Sequence, residues 1–524
     1  MINFLVKKCK NPRNLVVFPK ISKIFYFIFY FFNCNLILIK NWKILYNLIK
    51  LNLIFLLPKN TKIGDFMKII SIGTNHAGTS FLRTLKTIYP QAELVSYDRN
   101  TDISFLGCGI ALWVSDEFSD PSGLFYSSPE QLKSMGIDVH LQHDVLEIDR
   151  KNKVITVKNL VSGEIFKDSY DKLVFAGGTW PIIPPFEGID LENILVSKTF
   201  THAKEIKAKA VDPSIKNVII IGGGYIGIEL LEAFHKYGKK TTLIDMQDRI
   251  IPNYFDQEFT QKIEDKIVEE GINLQFNQKV VRFIADESGK KVAFVETDKG
   301  KYAADLVILA IGFAPNTKIL TDVEKTANGA VKVDEFQRSL SDQDIYVIGD
   351  SASMVHNVTK QHAHIALATN AVKSGIVAAF HIAGREDIPF PGYVGTNAIS
   401  VFGFNYASTG YCENACPKMG LDNVGVEYLE DWDRPEFMQN KSKVWIKIAY
   451  DKPSLKLIGA QIGSYGKEYN HTEVIYFLSL AIQKGLKLPE IALSDFYFLP
   501  HYNKPFNFVI QVILNALGLK YNKK

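Results

Sequence analysis

Residues 217–245 read NVIIIGGGYIGIELLEAFHKYGKKTTLID and carry the pattern that decides the fold. The β-branched run Asn217 to Ile221 predicts a buried strand, and an apolar helical pattern follows from Tyr225. Gly222, Gly224 and Gly227 stand where the strand turns into the helix. Glycines at this spacing let the chain turn tightly and bring helix N–H groups against a pyrophosphate. The stretch therefore predicts a βαβ dinucleotide-binding unit.

The second strand of this unit, Lys240 to Ile244, is followed by Asp245. A carboxylate at this place accepts hydrogen bonds from the ribose hydroxyls of a dinucleotide. Its negative charge would repel a 2′-phosphate, so we expect NADH in preference to NADPH. The other interpretation is a glycine turn that only packs a helix on a sheet, but strand, helix and acid together favour the nucleotide site.

A second unit of the same kind begins at the strand Lys68 to Gly73 and continues with GTNHAG, in which Asn75 replaces the middle glycine. Asp98 ends its second strand. The sequence DIYVIGD, which ends at Asp350, supplies a strand and a Gly-Asp pair much later in the chain. An early nucleotide site completed by a late Gly-Asp pair predicts an FAD domain interrupted by the inserted NAD domain.

The fold class that we predict is α/β, with two Rossmann-like dinucleotide-binding domains and a C-terminal α+β dimerisation domain. Two strand-glycine junctions, at 173–181 and 306–316, fall where an inserted domain would join the outer one. The predicted segments are an apolar extension outside the fold at 1–66, the FAD-binding domain at 67–185 and 317–389, the NAD-binding domain at 186–316, and the C-terminal domain at 390–524.

Cys108 lies in SFLGCGIALWV, between a loop and a helix that we expect to start near Gly109. A thiol at a helix N-terminus has a lowered pKa, and a second cysteine on the next turn would allow a disulfide. Leu112 and Trp113 occupy those places, so the thiol stands alone. The expected oxidised form is a sulfenic acid or a mixed disulfide, and His76 is the candidate acid or base beside it.

The composition is that of a globular protein, with 47% apolar and 22% charged residues and a formal charge of +4. This balance does not favour nucleic-acid binding, and five irregularly spaced cysteines indicate a reducing, cytoplasmic compartment. The apolar run Ile24 to Ile39 is shorter than the roughly 20 residues that span a bilayer, so a membrane anchor is not favoured. Residues 1–66 are interpreted as translated upstream sequence, with Met67 as the start.

The remaining candidates for chemistry do not form a metal site by their spacing. Cys412 and Cys416 form a C-x-x-x-C pair without a nearby histidine or further cysteine. His362 and His364 have no third ligand spaced to join them and are interpreted as structural. No metal is expected.

From Met67 onward the chain resembles the water-forming NADH oxidases, which belong with NADH peroxidase and coenzyme A disulfide reductase to the flavin disulfide-reductase superfamily. The matching motifs are GTNHAGT, SFLGCGIALWV, LFYSSPEQL, GTWPIIPP, GGGYIGIEL, GDSA, LATNAV and SDFYFLPHYNKP. The resemblance implies that His76 is the active-site acid or base and that Cys108 cycles through sulfenic acid. The family has no residues that correspond to 1–66, to Cys412 or to Cys416.

The resemblance also implies the residues that hold FAD and NADH. For FAD these are Gly73, Asn75, His76, Ala77, Gly78, Asp98, Cys108, Thr179, Trp180, Tyr225, Asp350, Ala368, Thr369 and Asn370. For NADH they are Gly222, Gly224, Ile226, Gly227, Asp245, Tyr254 and Gly312. A homodimer formed through residues after about Pro389 is implied as well, with SDFYFLPH and His501 near the flavin of the partner subunit.

The mechanism expected from this resemblance passes hydride from NADH to FAD and then to O2. The Cys108 thiolate reduces the resulting peroxide and becomes sulfenic acid, and a second NADH restores the thiolate and releases water. The alternatives on the same scaffold are an NADH peroxidase, an H2O2-forming NADH oxidase and a coenzyme A disulfide reductase. A flavin-bearing redox sensor with negligible turnover is the alternative of another class.

Overall fold

The computed structural model describes residues 67–466 and 471–520. The glycine-rich stretch folds as its pattern predicts. Strand Asn217–Ile221 turns at Gly222 into helix Tyr225–Lys236, and strand Lys240–Ile244 returns parallel to the first strand. Gly222 has φ +106°, a backbone conformation that side chains with a Cβ disfavour, so glycine is required at this turn.

The sheet around this unit has five strands, all paired in parallel. Val218 and Ile220 point to a face packed with helices, while Ile219 and Ile221 point to the opposite face. Burial on both faces explains why the strand is a continuous apolar run. In spatial order the strands are Asn273–Gln275, Lys240–Ile244, Asn217–Ile221, Leu306–Leu309 and Ile194–Val196. The helices packed on one face are Phe200–Val211, Tyr225–Lys236 and Gln257–Glu269. The opposite face carries the antiparallel strands Val280–Ala285, Val292–Thr297 and Lys301–Ala303.

The other nucleotide-type unit has the same plan with six strands. The late strand Asp342–Val347 pairs in parallel with Lys172–Phe175, which in turn pairs with Lys68–Ile72. A segment from the second half of the chain therefore completes a sheet begun at residue 68. In spatial order the strands are Arg338–Ser339, Asp342–Val347, Lys172–Phe175, Lys68–Ile72, Glu93–Asp98 and Asp138–Leu141; helices His76–Ile88 and Ala368–Ile382 share one face, and the antiparallel strands His143–Asp149, Val154–Asn159 and Ile165–Ser169 cover the other.

Two short strands connect the parallel sheets. Thr179–Pro181 pairs in antiparallel fashion with Phe313–Pro315, so the two strand-glycine junctions found in the sequence run side by side. Smaller elements complete this part of the chain: the 3-10 turns Gly107–Gly109, Pro121–Leu124 and Gly349–Ser351, the helices Ile110–Val114 and Pro129–Ser134, and the strands Val331–Lys332, Ala352–Val355 and His362–Ala363.

The C-terminal part is an antiparallel sheet with helices that share its apolar core. Its strands are Asn397–Val401, Phe404–Gly410, Leu457–Tyr465, Lys443–Asp451 and Val424–Trp432 in spatial order, with helices Val474–Lys484, Leu488–Ala492 and Phe508–Ala516 and the 3-10 turns Glu413–Ala415 and Pro417–Met419. The predicted fold class, two parallel-sheet nucleotide units followed by an α+β part, is confirmed.

The predictions about the apolar extension 1–66, including the run at 24–39, concern residues that lie outside the described part of the chain. Within 67–466 and 471–520, every helix is too short or too polar to cross a bilayer.

Candidate functional site

Asp245 lies directly beside the second glycine turn. One of its carboxylate oxygens accepts a hydrogen bond from the backbone N–H of Gly223 at 2.5 Å, and the other accepts from the N–H of Gln247 at 2.7 Å. The half-buried carboxylate is thus held where the strand ends and the glycine loop begins. This is the position from which an acidic side chain reaches the ribose of a dinucleotide.

The glycines of this turn have one packed side and one open side. A Cβ at Gly227 would meet the carbonyl oxygen of Gly222 at 1.9 Å, which shows how closely the helix packs on the strand. A Cβ at Gly224 would meet nothing within 4 Å. Helix Tyr225–Lys236 begins there without a side-chain cap, so its first N–H groups remain available to a phosphate. The residues present therefore fit a dinucleotide.

Tyr225 and Tyr254 cover this turn. Their rings stack with centroids 4.7 Å apart, and the Tyr225 hydroxyl donates a hydrogen bond to the side chain of Asn397 in the C-terminal sheet. Tyr254 remains 39% exposed. Ile226 is half-buried at the turn. Gly312, with φ +105°, accepts a hydrogen bond from the N–H of Ile182, directly after the connecting strand Thr179–Pro181. The predicted NADH residues therefore surround one turn.

The first glycine turn has the same construction. A Cβ at Gly78 would meet the carbonyl oxygen of Gly73 at 1.9 Å, while Asn75 is exposed and offers no side-chain cap to the helix that begins at His76. Ala77 is buried against Gly349, 2.9 Å from the place of a Cβ on that glycine. This close packing brings the late Gly-Asp pair to the first turn.

Asp98 is committed to holding that turn. One carboxylate oxygen accepts hydrogen bonds from the backbone N–H and the hydroxyl of Thr74, both at 2.7 Å. The other accepts two hydrogen bonds from Asn100, both at 2.9 Å, and the side chain is buried. Asp98 therefore stabilises the turn through its own hydrogen bonds, and its predicted contact with FAD stays a prediction.

Asp350 lies in a polar cluster that includes a lysine for which we had made no prediction. Thr179 donates its hydroxyl to the Asp350 carboxylate at 3.0 Å, and Lys198 donates to the Thr179 hydroxyl at 2.8 Å. The Lys198 ammonium is 3.7 Å from the Asp350 carboxylate and 4.6 Å from the centre of the Phe313 ring. Burial lowers the pKa of Lys198, with Asp350 acting in the opposite direction. The cluster places a cation between the two nucleotide units.

The first turns of helix Ala368–Ile382 pack near Gly349, since a Cβ on that glycine would meet the Ala371 side chain at 3.5 Å. Gly375 lets this helix lie directly on helix His76–Ile88, since a Cβ there would meet the Ala77 carbonyl oxygen at 2.5 Å. Ala368 and Thr369 are exposed and Asn370 is half-buried at its first turn, where no side chain caps the helix. Two uncapped helix N-termini therefore lie at the same edge of the first sheet, which suits the phosphates and ring of a dinucleotide cofactor.

Cys108 sits on the 3-10 turn before helix Ile110–Val114, as its sequence context predicted. The residue is exposed, yet protein atoms around the sulfur disfavour its charged form and raise the pKa of the thiol above its ordinary value. Our expectation of a lowered pKa was wrong. The helix that follows has only five residues, so its dipole is small, and the charge of Glu229 also acts against the thiolate.

His76 pairs with Tyr126, a second residue that sequence reasoning missed. The His76 Nδ1 lies 3.2 Å from the Tyr126 hydroxyl, and the two rings are stacked with an interplanar angle of 4°. Burial lowers the pKa of the imidazole, Asp350 opposes this shift and Lys198 adds to it. The lowered pKa favours the neutral imidazole over the imidazolium. The motif LFYSSPEQL contained the signal for Tyr126, but spacing alone did not connect it to His76.

A pair of backbone segments fixes Cys108 relative to this histidine. Ser104 donates its N–H to the Thr74 carbonyl at 3.1 Å, which attaches the cysteine loop to the first glycine turn. Its hydroxyl exchanges hydrogen bonds with the backbone of Ser127 at 2.8 and 2.9 Å, and Leu106 bonds to Leu124. Cys108 and Tyr126 thus belong to two loop segments that are joined by these hydrogen bonds, and Tyr126 contacts His76.

The other candidates lie elsewhere or have structural partners. Cys412 and Cys416 are buried in the C-terminal part, and His362 bonds to Ser353. His364 bonds to the backbone carbonyl of Asp350. Trp180 is 42% exposed and meets His202 edge-on. Among the described residues, no three His, Cys, Asp or Glu side chains gather as a metal site would require.

Comparison with known proteins agrees with this geometry. The family model described as pyridine nucleotide-disulphide oxidoreductase matches residues 67–375. An NADH oxidase of Mycoplasma pneumoniae is 46% identical over 87% of this chain and 98% of its own. A solved water-forming NADH oxidase from Lactobacillus brevis, bound to NADH, superposes with a TM-score of 0.83 at 36% identity over 86% of this chain and 98% of its own. An engineered variant of that enzyme, described as a water-forming NADPH oxidase bound to NADPH, gives the same values.

These comparisons confirm the predicted superfamily. The family model covers both glycine turns and Cys108, and the similarity extends over nearly the full length of the relatives. The chain belongs to the pyridine nucleotide-disulphide oxidoreductase family.

Proposed function

We propose that this chain is an FAD-dependent NADH oxidase that reduces O2 to water, with Cys108 cycling between thiolate and sulfenic acid. The observation that carries the proposal is the attachment of the cysteine loop to the first glycine turn, beside His76 and Tyr126. Among the described residues the other cysteines, Cys412 and Cys416, belong to the C-terminal part. A thiol without a second cysteine beside it reacts with an oxidant to give a sulfenic acid and does not close an internal disulfide.

In this proposal FAD would be held at the edge of the first sheet, in a domain formed by residues 67–185 and 317–389. The uncapped N–H groups of the helix that begins at His76 would bind its pyrophosphate, and Asp350 and Thr179 would hold its sugar-like chain. Lys198 brings a positive charge to the same place. FAD supplies the hydride-accepting and O2-reducing chemistry that side chains lack.

NADH occupies the second turn, in a domain of residues 186–316. The engineered NADPH oxidase supports this assignment, because its substituted glycine, aspartate, alanine, methionine and proline are separated by 18, 1, 1 and 5 positions. The same separations are found here among Gly227, Asp245, Met246, Gln247 and Pro252. Asp245 is thus the residue that selects NADH, since its charge opposes a 2′-phosphate.

Cys108 completes the reduction of oxygen. Two electrons from a first NADH convert O2 to peroxide; the thiolate then attacks one peroxide oxygen, the O–O bond breaks, and water leaves as Cys108 becomes sulfenic acid. Two electrons from a second NADH, with protons, return the thiolate and release the second water. His76 is the residue that we propose to give and take the protons.

The C-terminal part offers the surface for the proposed homodimer. Several large apolar side chains near the end of the chain are strongly exposed, among them Leu493, Tyr497, Phe498, Tyr502 and Phe506. Exposed apolar patches of this kind mark protein interfaces. Four of them belong to the segment SDFYFLPHYNKPF around His501, so a second copy of the chain would cover it.

The first test is the product balance of the purified protein with FAD. Simultaneous measurement of O2 uptake, NADH loss and H2O2 should show twice as much NADH as O2 consumed, without free peroxide. Equal consumption with accumulating peroxide would make the protein an H2O2-forming oxidase. Turnover that needs added peroxide or a coenzyme A disulfide would make it a peroxidase or a disulfide reductase, and no turnover would favour a redox sensor.

Gly224→Ala is expected to weaken NADH binding without weakening the fold. The added Cβ meets no protein atom within 4 Å and enters the open side of the turn, where the pyrophosphate of NADH would lie. The KM for NADH should rise about tenfold, while FAD content and melting temperature stay the same. Gly123→Ala is the matched control, because a Cβ there also meets nothing. An unchanged KM would argue against this NADH site.

A further inference from the structure

Asp256 ends the loop that follows Asp245 and is bound almost entirely by the C-terminal part of the chain. Its buried carboxylate accepts hydrogen bonds from the N–H groups of Glu413 and Asn414 at 3.1 Å each and from the Asn414 amide at 2.8 Å. The Gln461 amide donates to it at 2.6 Å and accepts from the Asp256 N–H at 2.7 Å. One carboxylate thus joins the nucleotide unit to the last sheet.

Lys447 completes this cluster with a buried charge. Its side chain is 3% exposed, and its ammonium lies 3.3 Å from Asp256, 2.8 Å from Glu258 and 2.7 Å from Glu413. Burial alone would lower the pKa of the ammonium, but the three carboxylates outweigh it and raise the pKa above its ordinary value. Lys447 is therefore a cation that balances acids from both parts of the chain.

The loop between Asp245 and Asp256 is fastened at two places. Near its middle, Ile251 donates its N–H to the carbonyl of Gly223 at 2.9 Å, within the glycine turn itself. At its end, Asp256 is held by the cluster, and the Cys412 thiol lies 3.8 Å from the carbonyl oxygen of Pro252. Tyr254 lies between the two attachments and stacks on Tyr225. The C-terminal part therefore fixes the loop that carries Tyr254.

We propose that Asp256 and Lys447 form a positioning site that holds the Tyr254 loop ready for NADH, so that the C-terminal part sets NADH affinity. The inference rests on the proposed NADH role of Asp245 and Tyr254. When a loop is already ordered, binding of the ligand does not have to supply the free energy of ordering it. When only a fraction of molecules has the ordered loop, the apparent affinity is reduced to that fraction of the intrinsic affinity. Cys412 then has a structural task beside Pro252.

The test measures NADH binding and the rate of FAD reduction separately. In Lys447→Met three carboxylates lose their cation, so the loop should be ordered in a smaller fraction of molecules. Anaerobic stopped-flow reduction of the FAD-loaded protein at several NADH concentrations gives both the Kd and the limiting rate. We expect Kd to rise about tenfold with the limiting rate within about twofold of the wild type, and Lys447→Arg to restore most of the affinity.

Two further variants separate positioning from folding. Asp433→Asn alters another buried carboxylate, whose partners are Ser442, Arg434 and His471, and should lower the melting temperature without changing Kd. Glu413→Gln is a milder change, because that side chain is 50% exposed, and it should raise Kd by a smaller factor than Lys447→Met. It therefore tests the inference even when Lys447→Met does not fold. Lowered melting temperatures with unchanged Kd for both cluster variants would overturn the inference. Failure of NADH to reduce the wild-type flavin would instead overturn the proposed function.

Discussion

In the proposed cycle, Cys108→Ser is expected to replace the formation of water by the release of H2O2. The serine hydroxyl does not attack peroxide as a thiolate does, so the second half of the reduction of O2 is lost while the first half, which needs FAD and NADH, continues. Consumption of NADH should fall from twice that of O2 to an equal amount. Nearly all the O2 consumed should then appear as peroxide.

The measurement follows O2, NADH and H2O2 in the same sample, with catalase added in a parallel run to recover half of the O2. Cys416→Ser is the control, because that thiol is buried in the C-terminal part and has no place in the proposed cycle. It should still form water. If Cys108→Ser also formed only water, the sulfenic acid step would be wrong, although NADH oxidase activity itself would stand.

The second large effect is expected from replacing Asp245, Met246 and Gln247 by alanine, arginine and serine. The change removes the carboxylate that opposes a 2′-phosphate and adds a guanidinium that pairs with it in bidentate fashion. The ratio of kcat/KM for NADPH to that for NADH should rise by about 100-fold or more, which corresponds to about 3 kcal/mol.

Two single variants show whether charge or shape causes the shift. Asp245→Asn removes the charge and keeps an oxygen that can accept from Gly223 or Gln247, so it should show part of the gain for NADPH. Asp248→Ala removes a 64% exposed carboxylate three positions further on and should leave the preference unchanged. A triple variant that still preferred NADH strongly would place coenzyme selection outside this strand end.

Local pattern was enough to predict the two nucleotide units. Turns such as Gly222–Gly227 depend on φ values and close backbone contacts that few residues other than glycine permit, and strands buried on both faces must be continuous apolar runs. The late strand that precedes Gly349 and Asp350 was assigned to the first unit because such a Gly-Asp pair typically places a carboxylate on the sugar-like chain of a flavin, and this strand pairs within the first sheet. Each glycine turn, with its two strands and its helix, lies within about 30 residues of sequence.

The residues that the sequence did not reveal act across long separations. Lys198 meets Asp350 from a distant part of the chain, Tyr126 meets His76 through a pair of loops, and Lys447 meets Asp256 across almost 200 positions. No periodicity connects such residues, because only the packing of separate elements brings their side chains together.

The pKa of Cys108 shows the same division. Its place before a helix was readable from the order of residues, but the sign of the shift depended on the length of that helix and on the atoms that surround the sulfur. The order of residues was sufficient to predict the two nucleotide units, the thiol before a short helix and the acid that we propose to select the coenzyme, since each follows from neighbours along the chain. The Lys198 and Lys447 charge clusters, the Tyr126 partner of His76 and the contacts that hold the Tyr254 loop required the folded molecule, because electrostatic and packing energies depend on distances in space.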